Sequence, residues 1–476
     1  MRYRWWLLAL ALLAISTLVV LWAGTRPGYD PYGWLVWGHL TVHLKLDTNG
    51  APSWKPLPYL FTVPYAVIGH YALWLWMITA VAVSLSGVVF AWRIAFRLLD
   101  APPERRYAAY IAGLFAAGAL LGIQDYSHFI LSAQSDTMIV AMCLGAIDCW
   151  LCGRQRWALV LWVLTSLGRP EVWPFLGLYV LWAWWRVPSI RWLIAGGVAL
   201  VPLLWFGIPA LTAKTAFVAG DNALHSPREL HANKITGTID RFLALHALGI
   251  KLLSLLAAGF AVWRRDRKTL LLAAGTVLWV AIEVGFALHG FPAVPRYLFE
   301  SAGVMGVLAG IAVGRVILDL PPLIAGMARR LWPRARGRGS AKLAGWATGL
   351  VVLVFAGALA PAARSRLQTE RKDLVHERAR TLEFDRLSTV VKRLGATRIL
   401  ACGQPEVNIE FQSVLAWYLG VKIGELYFDR HYDRLRPHPL MNFIAHSYGW
   451  KVYPSVPRHA SAAAASRCRG LDLTLR

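Results

Sequence analysis

Acidic residues are scarce in this chain: 26 Asp and Glu stand against 50 Lys and Arg over 476 residues, for a formal net charge of +24. With so few carboxylates there is no dense acidic cluster, and the sequence gives no sign of a metal centre built on Asp and Glu. Cysteine is nearly absent as well, with five residues, too few for a disulfide framework. Cys143, Cys149 and Cys152 fall in or near one apolar stretch, and the lone C-x-x-C there reads as helix packing rather than a redox or zinc motif. The spacing of Cys402 and Cys468 leaves open whether they pair in an oxidising exterior. His39, His43, His70 and His128 lack a compact ligand spacing and read as interfacial or substrate-contacting residues. No inverted repeat is evident, and its absence withholds support from a transporter built of two halves.

What the chain has in abundance is apolar surface. Hydrophobic residues make up 57% of it, 24 of them Trp, and the mean hydropathy is positive. One soluble core would not bury so much, so the chain reads as a polytopic membrane protein, mainly α. The basic excess is then read against a bilayer, with no need for nucleic acid. Measured against a span of about 20 residues, apolar stretches lie at roughly 5–24, 72–92, 107–123, 136–153, 157–168, 174–185, 192–211, 246–263, 269–289, 298–314 and 343–362. That makes about eleven spans, of which the fifth and sixth are short. With the N-terminus cytoplasmic, most basic residues fall inside, including Arg93, Arg97, Arg154, Arg156, Arg186, Arg264, Arg265 and the run from Arg329 to Lys342. The opposite loops hold few, such as Arg26, Lys45, Lys55 and Arg169. The positive-inside rule therefore sets the C-terminus outside. The first span is long for a cleaved signal peptide and is expected to remain.

Composition changes after residue 362. Residues 1–362 are expected to form the membrane unit and 363–476 a small extracytoplasmic α/β domain. In the latter, Thr381 to Leu394 and Glu406 to Leu419 read as helices, and Arg398 to Cys402 and Lys422 to Phe428 as strands.

Ionisable residues gather at the outer edge of the spans: Asp30, Asp47, Asp125, His128, Asp136, Arg169, Glu171, His289, Arg296 and Glu300. Acids and bases contributed by several spans to one interface mark a candidate site. Asp30 opens the first outer loop, GYDPYGWLVWGHLTVHL, and Asp136 opens the fourth span in LSAQSDTMIVAM. Arg169 and Glu171 stand in GRPEVWPFLGLYVLW, and Arg296 and Tyr297 in VPRYLFE. In this order and on one side of the membrane, these segments resemble the GT-C superfamily of integral-membrane glycosyltransferases. The resemblance covers residues 1–362.

What the resemblance implies is transfer of a sugar from a polyprenyl-phosphate donor to a hydroxyl of a cell-envelope glycan, lipid or protein. Such a single displacement is inverting and requires no metal or other cofactor. Asp30 would be the catalytic base. Arg296 would be the first cation for the leaving phosphate, with Lys55, Arg169 and Lys251 behind it. Asp136, Trp54, Lys55, His128, Arg169, Glu171, Arg296 and Tyr297 would bind substrate. Each assignment has a structural rival: Asp30 and Asp136 as helix caps, Glu171 as a local partner of Arg169, and Arg296-Tyr297 as a headgroup anchor. In the segment Ser53 to Pro64, prolines are expected to forbid a continuous helix and fix an extended path, with Trp54 and Lys55 either covering the donor or packing as a plug. The loop from Thr212 to Leu245 has the composition of a flexible lid. Glu283 is expected to face the protein interior, and Asp148 to reach water or a basic loop at the cytoplasmic end.

Two other classes stay open, a polytopic transporter or lipid flippase and a noncatalytic envelope-assembly protein. Residue usage rich in Arg, Ala and Trp suggests a GC-rich, actinobacterial source, in which mannosyl or arabinosyl transfer would be natural.

Overall fold

The computed structural model describes residues 2–50, 52–224, 226–231, 233–331, 338–428, 439–446, 449–457 and 461–475. The basic run expected on the cytoplasmic side includes Arg334 and Arg336, which lie outside the described residues.

Each of the eleven apolar stretches falls on helix. The first is α1 (Arg2–Ala23), followed by two short helices, α2 (Tyr29–Val42) and α3 (Pro56–Ala66), and then by α4 (Ala72–Leu99) and α5 (Arg106–Leu121). A single-turn connector, α6 (Tyr126–Leu131), leads into α7 (Ser135–Leu151), α8 (Gln155–Gly168) and α9 (Trp173–Arg186). Next, α10 (Arg191–Pro202) passes through a π-turn into α11 (Ile208–Thr212). The region read as a lid carries α12 (Val218–Ala223) and α13 (Lys234–Ala244), and it is tied to the first outer loop where Thr48 N–H donates to Thr212 O at 3.2 Å. The membrane unit continues with α14 (Leu248–Arg264), α15 (Arg267–Leu288), α16 (Phe299–Leu331) and α17 (Arg338–Leu394). Among the described residues, six segments are long and apolar enough to cross a bilayer, and a seventh if α13 and α14, bent by 100°, form one broken span. The remaining stretches fall on α5, α7, α8 and α9, which have 16, 17, 14 and 14 residues.

The centre of the bundle is α16, whose small residues let its neighbours approach. Gly306, Gly310 and Gly314 recur every fourth residue and face α5 and α4 at Ala119, Ala112, Ala116 and Leu99. Close backbone approach through such a stripe is how helices associate without a hydrophobic driving force. At the end of α7 away from Asp136, buried Asp148 accepts from Arg93 (2.9 Å) and Arg97 (3.2 Å), so it meets basic side chains as expected.

The proline-rich segment departs from expectation, because α3 runs from Pro56 to Ala66. Pro56 and Pro58 occupy its first turn, where backbone N–H groups have no intrahelical acceptor, and only Pro64 interrupts the ladder. Beyond the bundle, α17 runs through residue 362 without a break, so the composition change does not coincide with an element boundary. Residues expected to form a strand at 398–402 are helical, in α18 (Ala396–Cys402). The expected helix at 406–419 begins as β1 (Gln404–Val407) and becomes helical only in α19 (Gln412–Leu419). The expected strand at 422–428 contributes a single bridge, Tyr427 to Glu406. The sheet is completed by β2 (Leu440–His446), β3 (Gly449–Ser455) and β4 (Leu473–Leu475), with α20 (Ala462–Arg467) before the last strand. Its order is β1-β2-β3-β4, the first pair parallel and the others antiparallel. Cys402 and Cys468 are disulfide-bonded, closing α18 onto the segment after α20.

This packing predicts opposite outcomes for two glycines. A Cβ at Gly310 would strike the Ala112 carbonyl, whereas one at Gly118 meets nothing within 4 Å. Gly310→Ala is expected to lower thermal stability by about 1–3 kcal/mol through overpacking. Gly118→Ala should be neutral or stabilising by up to about 1 kcal/mol through helix propensity. Thermal unfolding of both detergent-solubilised variants checks the pair, and equal effects would contradict the tight α5–α16 contact.

Candidate active site

Helix α2 positions Asp30. Its N-cap is Gly28, whose side is crowded by the Gln134 amide and whose N–H donates to Ser132 O at 2.9 Å. Asp30 therefore sits one residue inside the first turn and is not the cap. The same holds for Asp136: the N-cap of α7 is Gln134, and Asp136 lies in the first turn beyond it. Both carboxylates are turned towards arginines that arrive from distant segments.

The arrangement has two tiers. In the outer one, Asp30 Oδ2 accepts from Arg296 at 3.4 Å, and both side chains are 18% exposed. In the inner one, Asp136 accepts a short hydrogen bond from Arg169, with these side chains 0% and 2% exposed. The tiers are joined, since Arg296 Nε lies 4.0 Å from Asp136 and Arg169 donates to the Arg296 carbonyl at 3.2 Å. Tyr297 lies with its ring 4.3 Å from the Arg169 guanidinium carbon and 5.7 Å from that of Arg296. The extended conformation of Arg169, at the end of α8, is what delivers its side chain into this space.

Arg169 also gathers Glu171 (3.9 Å) and Glu300 (3.5 Å). Glu300 was not singled out as a ligand from the sequence, although its place four residues after Arg296, at the start of α16, is a helical spacing that puts both at one end of the bundle. Glu283 is fully buried, as expected, near enough to Glu171 and Glu300 to feel their charge. Lys55, the N-cap of α3, has a buried ammonium with Trp34 beneath it at 5.8 Å. Burial pushes this ammonium below the usual lysine value, an effect that Asp136 opposes.

Three other candidates do not join the cluster. Trp54 is fully buried, packs at a tilt against Trp37 (5.2 Å) and Tyr59 (4.9 Å), and donates to Leu204 O. This is the packing role of a plug. Lys251 donates to Leu243 O. His128 faces Asp373 and Glu377 of α17; burial opposes its charged form, and these carboxylates outweigh burial and hold the imidazole above its ordinary value. Phe129, which sequence reasoning did not select, lies under the Arg296 guanidinium at 5.9 Å and against Phe299 at 5.2 Å.

Below the charged cluster lies an apolar cavity of about 600 Å³ among α7, α8, α9, α15 and α16. Trp150, Trp162, Phe175, Trp182 and Trp279 line it, and Glu300 stands in its wall. The same Glu300 contacts Arg169, so one carboxylate belongs both to the wall of the aromatic cavity and to the guanidinium hub.

No family model and no curated protein matches this sequence. In fold, the chain is similar to ArnT from Cupriavidus metallidurans bound to undecaprenyl phosphate, with a TM-score of 0.53 over 93% of each chain at 15% identity. The apo state of the same protein superposes with a TM-score of 0.50 over 93% of each chain at 16% identity.

The two tiers predict different costs of substitution. Arg169→Met leaves Asp136, Glu171 and Glu300 without their shared cation and is expected to destabilise by about 3–5 kcal/mol. Asp30→Asn, in the half-open pair, should cost less than about 1 kcal/mol. Thermal unfolding in detergent measures both, and an equal loss would show that the tiers do not differ in burial.

Proposed function

We propose that the chain is a membrane glycosyltransferase that moves a sugar from a polyprenyl-phosphate donor to a hydroxyl of an envelope glycan, lipid or protein. The observation that carries this reading is the half-open Asp30–Arg296 pair, set over a buried Asp136–Arg169 pair and connected through Glu300 to an apolar cavity. A donor with a long apolar tail and a single charged head has this same polarity. The likeness in fold to ArnT bound to undecaprenyl phosphate supports the choice of donor.

In this mechanism the polyprenyl chain lies in the aromatic cavity and the phosphate meets Arg296, with Lys55 behind it. Negative charge grows on the phosphate oxygen as its bond to the anomeric carbon breaks, and fixed cations stabilise that charge. Asp30 takes the proton of the acceptor hydroxyl while its oxygen bonds to the anomeric carbon from the opposite face. The products are an inverted glycoside and polyprenyl phosphate. Asp136 orients Arg169 and Arg296, and neither a metal nor another cofactor enters the step. The site and the C-terminal unit, residues 363–476, face the exterior, with the N-terminus cytoplasmic and about eleven spans between. Mannose and arabinose are the first sugars to try.

A lipid carrier would also use an apolar cavity with a charged end, and Asp30 separates the two. Asp30→Asn is expected to reduce transfer from radiolabelled polyprenyl-phosphate sugars by at least about 100-fold while leaving expression and thermal stability near those of the parent. Unchanged transfer would remove Asp30 as the base. Lipid flipping in proteoliposomes that persists in the variant, with no transfer in either protein, would favour the carrier.

A further inference from the structure

The short helix α6 and the long helix α17 meet at three side chains that the proposed transfer does not use. His128 Nδ1 lies 3.1 Å from both oxygens of Asp373 and 3.7 Å from Glu377 Oε1. One ligand atom from each residue lies within 4.8 Å of the others, so they surround a common point. We propose that His128, Asp373 and Glu377 bind a divalent transition-metal ion, zinc by the chemistry of its donors, and that this ion clamps α6 to α17.

The dimensions suit the ion. Two donors bound to a tetrahedral zinc at about 2.05 Å sit about 3.3 Å apart, and the two separations from Nδ1 bracket that value. An imidazole nitrogen with two carboxylates selects zinc over calcium or magnesium, which take oxygen almost throughout. The His128 and Asp373 side chains are 28% and 31% exposed, which leaves room for a water as fourth ligand. Glu377 is oriented by an outer contact, because Arg380 pairs with its Oε2 and leaves Oε1 for the site.

Charge on α17 points the same way. Glu370, Asp373 and Glu377 follow one another at spacings of three and four, and therefore share one helical face where like charges repel. Asp125, next to α6, adds to this field at Glu370. Arg380 pairs with Glu377 and Ser127 with Glu370, which leaves a single imidazole N–H to serve Asp373 and the second oxygen of Glu377; a doubly charged ion would serve both.

The clamp would support the transfer site. Ser132 O and Leu131 O, at the end of α6, accept from Gly28 N–H and Thr25 Oγ1, just before Asp30. Phe129, next to His128, lies against Arg296 and Phe299. Fixing α6 therefore fixes the floor shared by the outer pair.

The test uses the full-length protein in detergent, stripped with chelator and titrated with Zn²⁺ alone. About one zinc per chain and a raised Tm are expected. His128→Ala with Asp373→Asn should bind at least about 10-fold more weakly, and Glu370→Gln should bind as the parent does. Equal zinc binding by the parent and the double variant, or a Tm that only Ca²⁺ or Mg²⁺ raises, would overturn the proposal. Should the double variant not fold, zinc X-ray absorption decides. The parent should show a nitrogen and oxygen shell, and His128→Cys a zinc–sulfur distance of about 2.3 Å; sulfur in the parent, or none in the variant, refutes the site.

Discussion

The charged cluster depends on α2 being buried on two sides. Trp34, Leu35 and Trp37 enter the core of the membrane unit, and Tyr32, Val36 and Leu40, spaced by four, enter that of the C-terminal unit beside Phe384 and Phe411. A helix apolar all round is stable only when it is enclosed. The enclosure leaves polar side chains towards the two ends of α2, His39 and Thr41 at one and Asp30 at the other. Contacts from the C-terminal unit hold the helix in that position: Tyr29 donates to Gln412 at 3.3 Å, and the Arg26 N–H donates to Thr381 Oγ1 at 2.8 Å. Burial also holds the Tyr29 phenol neutral, with its pKa pushed up to about 12.

The charged cluster works by the same exclusion of water. Arg169, surrounded by Asp136, Glu171 and Glu300, is a cation that its environment requires, since each acid would otherwise stand desolvated. Its role is to hold the geometry. Arg296 is paired with the less buried acid, Asp30, and would be the one to change partner when an anion arrives. In the proposed mechanism, a phosphate that draws Arg296 away releases Asp30 to act as base.

Much of this was legible in the chain because membranes enforce simple rules. Apolar stretches marked the helices, and Asp30, Asp136, Arg169 and Arg296 stood out as ionisable groups at span ends, where charge is expensive. The four converge although Asp30 and Arg296 are 266 residues apart. What escaped were features set by three-dimensional context. Trp54 looked like a loop aromatic and is core, because α3 forms where Pro56 and Pro58 fall in the one turn that tolerates them. His128 lacked ligands nearby in sequence, and its partners lie 245 residues away on a helix from another unit. Residues 398–402 have a strand's apolar character but follow Gly395, whose positive φ of 83° ends α17 and starts α18.

The continuity of α17 has one more consequence. Its 57 residues, at 1.5 Å each, extend roughly 85 Å. At one end it carries Leu350, Leu353 and Val354, exposed as lipid-facing residues are; at the other, Leu387, Val390 and Val391 form the core over α2. A helix whose apolar length is fixed answers a thicker or thinner bilayer by tilting. A straight α17 would carry that tilt to the distal core, whereas a bend at Pro361 would absorb it. Through a straight α17, bilayer thickness would be a mechanical input to the placement of α2.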